Sequence, residues 1–490
     1  TVLVASTDDG EQVVVGPSPA GDGVVSVLSY GAVGDGVADD TAPIQSAMTA
    51  AAGKAVVFPA GYTFRITDGV TVPTGTTIIG YGSTIRQDTK HKPCLDMVQK
   101  SDVTILGLSF LTTLTRTYTG GTTFRGADVF VNWCGVYASG SRITVRDCDF
   151  DGFTAGVLVT KWDDTDMTGN AEDITVENCT VQNVDFGVLA DATDRLTVRR
   201  LSGSWAAQSG SSAPPHLFYA AGGTAERISY DMTVEDVRGW GSTDGHCVQV
   251  KDTVGAVISR VFIDGCNGLL SVDNVTSLLA EHLTAVNDTL GLGSIYMQAD
   301  CVDVTIRDVS IQCAAGDAAT ERAGRIAGTR VTAQQLYAQV DWDDDGSWEW
   351  YVLGTDVTIS GIESAGTGGS PYVMGIDGSN YGASHGIHVS AVTAPNCYAS
   401  GALRIFGDVT GSVELNADRV AALVNASGLT GTVHISTNGD TFTHPGTKAG
   451  FFGTAPITKP TVTGSRGGNA ALASALTALA NLGLITDSSS

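Results

Sequence analysis

The chain alternates between apolar and polar positions in a pattern that repeats. After Arg142, the apolar residues Ile143, Val145 and Cys148 are interleaved with Thr144, Arg146 and Asp147, and a polar corner leads to a short run, Gly156-Val157-Leu158. Shifted by 31 residues, Ile143, Thr144, Val145, Cys148, Gly156, Val157 and Leu158 fall on Ile174, Thr175, Val176, Cys179, Gly187, Val188 and Leu189. Looser copies begin at Asp102, Arg195, Asp231, Asp303 and Asp356. Alternate residues of an extended chain point to opposite faces, so Ile143 and Val145 share a face with their equivalents. One unit cannot bury that face alone, whereas stacked units at a strand spacing of roughly 4.8 Å can. A β-sandwich would show short hairpins with Asn-Gly or Asp-Gly turns. Here the runs return every 22 to 36 residues or so, the range of solenoid repeats. The pattern predicts an all-β protein, a right-handed parallel β-helix.

Around that stack the pattern predicts distinct segments. Residues 1–25 read as a leader that attaches the protein to something larger, with a Gly/Pro turn after Val13-Val14-Val15. Residues 26–86 open the helix and hold a short capping helix. Asp40 or Thr41 caps it, Pro43 lies in its first turn, Gly53 closes it, and Ile44, Ala47, Met48 and Ala51 form its apolar face. Residues 87–320 are the main coils, 321–352 an acidic insertion that breaks the pattern, and 353–450 a C-terminal β region. Residues 451–490 form a connector and tail. In that tail Leu472, Leu476, Leu479 and Leu482 make a helical stripe ended by Gly483. A single helix this short is marginal in water, so the stripe predicts association into a homotrimer.

Composition narrows the function. The net charge of −25 over 490 residues argues against nucleic acid and against an anionic membrane surface as partners. No run approaches the roughly 20 apolar residues of a membrane span, and the N-terminal residues show no secretory signal. The nine cysteines include no metal-type Cys-x-x-Cys pair. The equivalence of Cys148 and Cys179 predicts reduced thiols in the core, assembled in a reducing cytosol.

The residues Tyr30-Gly31-Ala32-Val33-Gly34-Asp35-Gly36, then Asp39-Asp40-Thr41, an alanine-rich helix and Val56-Val57-Phe58-Pro59-Ala60-Gly61 resemble the opening of the pectate-lyase-like β-helix family. That family includes bacteriophage tailspikes and fibres, polygalacturonases and related polysaccharide-active proteins. Asp35, Asp39 and Asp40 read as turn and cap residues rather than catalytic ones. The tail from Thr461 resembles C-terminal segments of bacteriophage fibre and other virion proteins. Together these resemblances imply a virion protein, made in the host cytoplasm and acting at the bacterial surface. It would meet other virion proteins through one end and a cell-surface glycan along its side, binding and depolymerising that polysaccharide. A non-enzymatic decoration or head fibre and a secreted pectinase-like enzyme are the alternative readings.

The candidate chemistry is more diffuse. Loops at 112–133, 161–170, 202–225 and 290–299 are the longest, and their aromatics Trp133, Trp162 and Trp205, with Tyr219, are candidates to stack on sugar rings. Ser242-Thr243-Asp244-Gly245 resembles the Asn-Thr-Asp-Gly strand of polygalacturonases, with Ser242 in place of Asn and without the paired aspartates that follow there. Asp244, with Asp264 or Asp273 on the following coils and His246 beside it, is the candidate catalytic group, since glycosidases need two carboxyl groups about the scissile bond. No cofactor is required by this reading. Asp341, Asp343 and Asp345 have a spacing that can gather carboxylates around calcium, but the twelfth position is Val352 rather than Glu, so an acidic hairpin turn is the competing reading.

Overall fold

Apolar residues at every second position form one continuous file through the molecule. In the computed structural model Val56 stacks on Ile78, then Ile105, Val145, Val176 and Val198, and the file runs on through Ile258 and Ile359 to Val389. All are buried. The strands of this ladder pair in parallel, each with the strand one coil below and one coil above, so the chain winds into a parallel β-helix of about 12 turns. The repeat read from the sequence is the register of the stack: Ile143 pairs with Ile174, Val145 with Val176, Val157 with Val188 and Leu158 with Leu189.

The structure describes residues 3–6, 12–15, 23–116, 133–160, 170–206, 214–221, 227–242, 244–289, 293–313, 323–340, 348–365, 372–378 and 384–393, the strands between 403 and 458, and 461–481 and 485–489. Each coil carries three strand segments, called sheets A, B and C in chain order. In one coil these are Ser141–Arg146 (A), Asp149–Asp151 (B) and Ala155–Thr160 (C). In later coils they fuse, so that Val248–Asp264 runs through C, A and B without a break.

The corner leading into sheet A has a left-handed backbone. Asp102, Arg142, Asp173, Arg195, Asp231, Asp303, Arg330 and Asp356 all have φ between 52° and 58°. L-residues other than Asn and Asp pay for this conformation, and the side chains here make use of it by reaching along the axis. Arg142 binds Asp102 at 2.6 Å, Arg195 binds Asp173 at 2.6 Å, and Arg330 binds Asp303 on the neighbouring coil. Beyond the next corner Cys148 and Cys179 turn inward, as their equivalence predicts. Cys94, Cys148, Cys179, Cys247, Cys266 and Cys301 are all buried free thiols.

The stack is plugged at its N-terminal end by α1 (Thr41–Ala50), whose Ile44, Ala47 and Met48, followed by Ala51, are fully buried. Asp40 precedes it but does not cap it through its side chain. Its buried carboxylate instead accepts hydrogen bonds from the Val33 and Gly34 amides at 2.6 and 3.0 Å, tying the opening turn to the helix. Asp35 and Asp39 likewise bond to local amides and hydroxyls. Within the expected break at 321–352, the acidic run at 341–347 lies outside the described residues, while Gly324–Gln339 is an ordinary coil paired with Val302–Cys313 below and Trp348–Ser364 above. Its inward residues Val331, Ala333, Leu336 and Ala338 keep the period of two, which the acidic letters nearby obscured. The tail holds α2 (Ala470–Asn481), capped by Asn469 Oδ1, between two short strands that pair in parallel, Thr461–Gly464 and Thr486–Ser489.

Candidate functional site

The outer face of sheet C changes character along the rod. In its first coils the outward residues Leu158 and Leu189 are apolar and buried, forming with Cys134, Ala155, Phe186 and Ala221 a second cluster outside the main core. Two buried ion pairs hold the chain that borders this face. Arg116 reaches Asp185 at 3.2 Å and donates to the Phe153 carbonyl at 2.8 Å, and Arg227 pairs with Asp191.

From Tyr219 onward the same column turns polar. Register places Tyr219, Gln249, Ser271, Tyr296, Arg325 and Tyr351 one above another, each roughly 4.8 Å from the next. Arg325 lies over the Tyr296 ring, 5.1 Å from its centroid, and donates from Nη1 to the Tyr296 hydroxyl at 2.9 Å. Trp348 stacks on Tyr351 at 5.3 Å. Tyr219 rests on Phe186 and His216. Beside this column Lys251 and Asp273 form an ion pair at 2.8 Å, both half-buried, with Asp252 next to them.

The charges here are coupled. Burial pushes the Tyr219 phenol up, Lys251 pulls it back, and Asp273 and Asp252 raise it further, so the phenol is a proton donor at neutral pH. Burial works against the Lys251 ammonium, but the Asp273 hydrogen bond, Tyr219, and the Asp273 and Asp252 charges more than offset it, and the amine stays charged. This face therefore holds flat rings, neutral donors and acceptors, two cations and two carboxylates; Tyr219, Gln249, Lys251, Asp273 and Tyr296 reach its surface, whereas Ser271, Arg325 and Tyr351 are buried. Such a set packs on the C–H faces of a sugar while satisfying its hydroxyls.

Of the residues expected from the sequence, Tyr219 and Asp273 lie on this face. Asp244 is exposed at the corner between sheets B and C, and Asp264 closes a sheet B strand, where it accepts from Asn287 Nδ2 at 2.7 Å. Neither shares a face with Asp273, which sits at the far end of a sheet C strand. His246 is buried, bonded through Nε2 to the Gly293 carbonyl at 3.0 Å, and its ring fills space left by Gly268, which has no Cβ. Burial pushes it down to about 4, so it is a neutral packing residue at neutral pH. Its neighbour His216, pushed down to about 3, accepts the His246 amide through Nδ1. Trp133 and Trp205 are corrected to core positions. Both are buried in the main cluster, and Trp205 is clamped by Ser242, whose hydroxyl exchanges hydrogen bonds with its backbone. Trp162, Asp341, Asp343 and Asp345 lie outside the described residues. Among the described residues no group of three or more His, Cys, Asp or Glu side chains is placed to hold a metal ion. Tyr296, an aromatic of the 290–299 loop, and Lys251, near Asp244 in sequence, were within the sequence reading, whereas Gln249, Asp252 and Arg325 were not singled out as candidates. The signal that finds them is the letter between two inward apolar residues, as in Val248-Gln249-Val250 and Ile295-Tyr296-Met297.

Residues 24–101 match the family model described as rhamnogalacturonase A/epimerase, pectate lyase-like. No curated protein sequence matches the chain. Among solved structures, the pre-mature gene product 12 of bacteriophage phi29 is similar with a TM-score of 0.51 and 16% identity, over 90% of this chain and 59% of that one. PfbA, a surface adhesin of Streptococcus pneumoniae, has a TM-score of 0.44 and 12% identity over 84% of this chain and 91% of that one. The enzymatically active domain of tailspike protein 2 from bacteriophage CBA120 has 0.41 and 11%, over 73% and 49%. At these identities the likeness is one of fold. Among the described residues no helix is long and apolar enough to cross a membrane.

Proposed function

We propose that this protein is a bacteriophage fibre or tailspike that binds a bacterial surface polysaccharide along the outer face of sheet C. The observation that carries this is the switch of that face, from Tyr219 onward, to a ladder of rings, amides and charged groups set at the strand spacing. The pectate-lyase-like opening and the fold shared with a phage gene product agree with it. Depolymerisation is assigned to Asp273 with Asp252, the two carboxylates that bear on Tyr219 and Lys251. The pairing of Asp273 with Lys251 equally suits an adhesin that holds its glycan without cutting it. The tail acts as a trimer clamp, because Leu472 and Leu479 of α2 remain exposed on a single chain, and residues 1–25 attach the rod to the virion.

Incubation with capsular and cell-wall glycans tests the reading. New reducing ends mark hydrolysis, reducing ends with new ultraviolet absorbance mark elimination, and binding with neither marks the adhesin. Loss of glycan binding in Tyr296→Ala and Tyr219→Ala is expected in every case, and unchanged binding in both would refute the site. Native mass measures the trimer.

A further inference from the structure

Exposed large apolar side chains are confined to three places among the described residues: the opening coils, α2, and two adjacent coils midway along the rod. The mid-rod group is Tyr230, Val254, Val257, Phe262 and Trp240, each 37–49% exposed. Two surface regularities fail at the same height. The outward column of sheet A is a run of threonines, Thr144, Thr175, Thr197 and Thr233, resuming at Thr305, Thr332 and Thr358. Between them stand Val257 and Leu279. The corner ladder of Asp–Arg pairs is also interrupted here, as it is again where Asp356 faces Gly386: Asp231 faces Gly255 on the next coil, where Asp102, Asp173 and Asp303 face Arg142, Arg195 and Arg330.

The apolar residues occupy two faces at one level. Tyr230, Val254 and Val257 are on sheet A, and Phe262 and Trp240 are on sheet B. The leftover charges match across those faces. Asp231 opens the sheet A side, and Arg238, in register with Phe262, stands on sheet B. Both are exposed, and among the described residues neither belongs to an ion pair. Parallel rods around a three-fold axis touch through unlike faces at equal height, a heterologous contact that closes into a ring. We infer that sheet A of one copy packs on sheet B of the next at these two coils, with Val257 and Phe262 in the contact and Asp231 meeting Arg238 of the neighbouring copy. This rests on the trimer reading above and adds the surface through which the rods, not only their tails, associate.

The test is the double variant Asp231→Cys/Arg238→Cys, oxidised with glutathione disulfide and run on a denaturing gel without reductant, beside both single variants and the native mass of the unmodified protein. Within one chain the two positions are separated by roughly 15 Å or more of extended strand and a corner, beyond the ~7 Å that a disulfide spans. Covalent trimers from the double variant alone are expected. A native trimer whose double variant stays monomeric on the gel would overturn this contact and leave the tail clamp standing. A native monomer would overturn both. Val257→Asp/Phe262→Asp, expected to keep the β-sheet circular dichroism of the parent and lower the dissociation temperature of the trimer, checks the apolar part. An unchanged dissociation temperature counts against it.

Discussion

Glu349 gives the sharpest physical prediction. It lies between Trp348 and Trp350, is fully buried, and among the described residues neither carboxyl oxygen has a hydrogen bond of normal geometry, though the Ser364 hydroxyl bears on it. Burial pushes its carboxyl up to about 8 from an ordinary 4.5, against the weaker opposing effect of Ser364. The folded chain thus keeps a proton here that the unfolded chain releases at about pH 4.5. Between those two values the unfolded state binds fewer protons, so stability falls as pH rises and levels off above pH 8. At 1.36 kcal/mol per unit the whole window is worth about 5 kcal/mol, and about 3 of those are already lost at pH 7. The variant Glu349→Gln keeps the shape and cannot ionise. Its buried amide carries its own cost of about 1–3 kcal/mol, so the offset at one pH is uninformative and the slope is the readout. A solenoid opens locally, so the assay is hydrogen exchange of peptides from 324–364, comparing parent and variant at each pH so that the intrinsic exchange rate cancels. The parent is expected to lose protection relative to the variant from pH 5 to pH 8. A constant difference across that range would refute the assignment of a buried, protonated Glu349.

Other consequences are simpler to check. Burial raises the thiols of Cys94, Cys134, Cys148, Cys247, Cys266 and Cys301 above the usual thiol range, so a thiol reagent at pH 8 should leave them unmodified until the chain is denatured. Gly107 has φ +72° and lies under the Tyr81 ring, which crosses it to donate to Asp147 two coils away at 2.6 Å. Gly107→Ala should lower stability by about 1–3 kcal/mol in denaturant melts, and Tyr81→Phe by about 1 kcal/mol. Asp40→Ala leaves the Val33 and Gly34 amides without their acceptor at the plugged end and should cost about 2 kcal/mol, seen first as proteolysis within residues 23–66.

The scaffold was readable because its constraint is local and periodic. Ile143, Val145, Ile174 and Val176 must be apolar and β-branched at alternate positions, and the 31-residue offset is set by the coil itself. The face of α1 was equally plain, since Ile44, Ala47 and Met48 obey the helical period. The binding face was not, because Tyr219, Gln249, Ser271, Tyr296 and Arg325 are related only by register. Turns of different length separate them, so no fixed offset links one to the next. Trp133 and Trp205 were misplaced for a related reason. An aromatic beside a long turn reads as exposed, but here the chain has already come back to the core. His246 resembled a base because the letters around Asp244 do, while its surroundings hold it neutral and bonded.

The unbroken ladder also decides how the rod carries load. A pull along its axis at mid-length must part sheets A, B and C together, since neighbouring coils are joined by strands in all three. An end coil can instead be peeled, one hydrogen bond after another. Strength then resides in the middle of the filament and weakness at its tips. One tip is closed by α1, and the corner pairs Arg142–Asp102, Arg195–Asp173 and Arg330–Asp303 add links parallel to the pull. Stretched between two attachments, such a body would fray from an unplugged end long before it snapped.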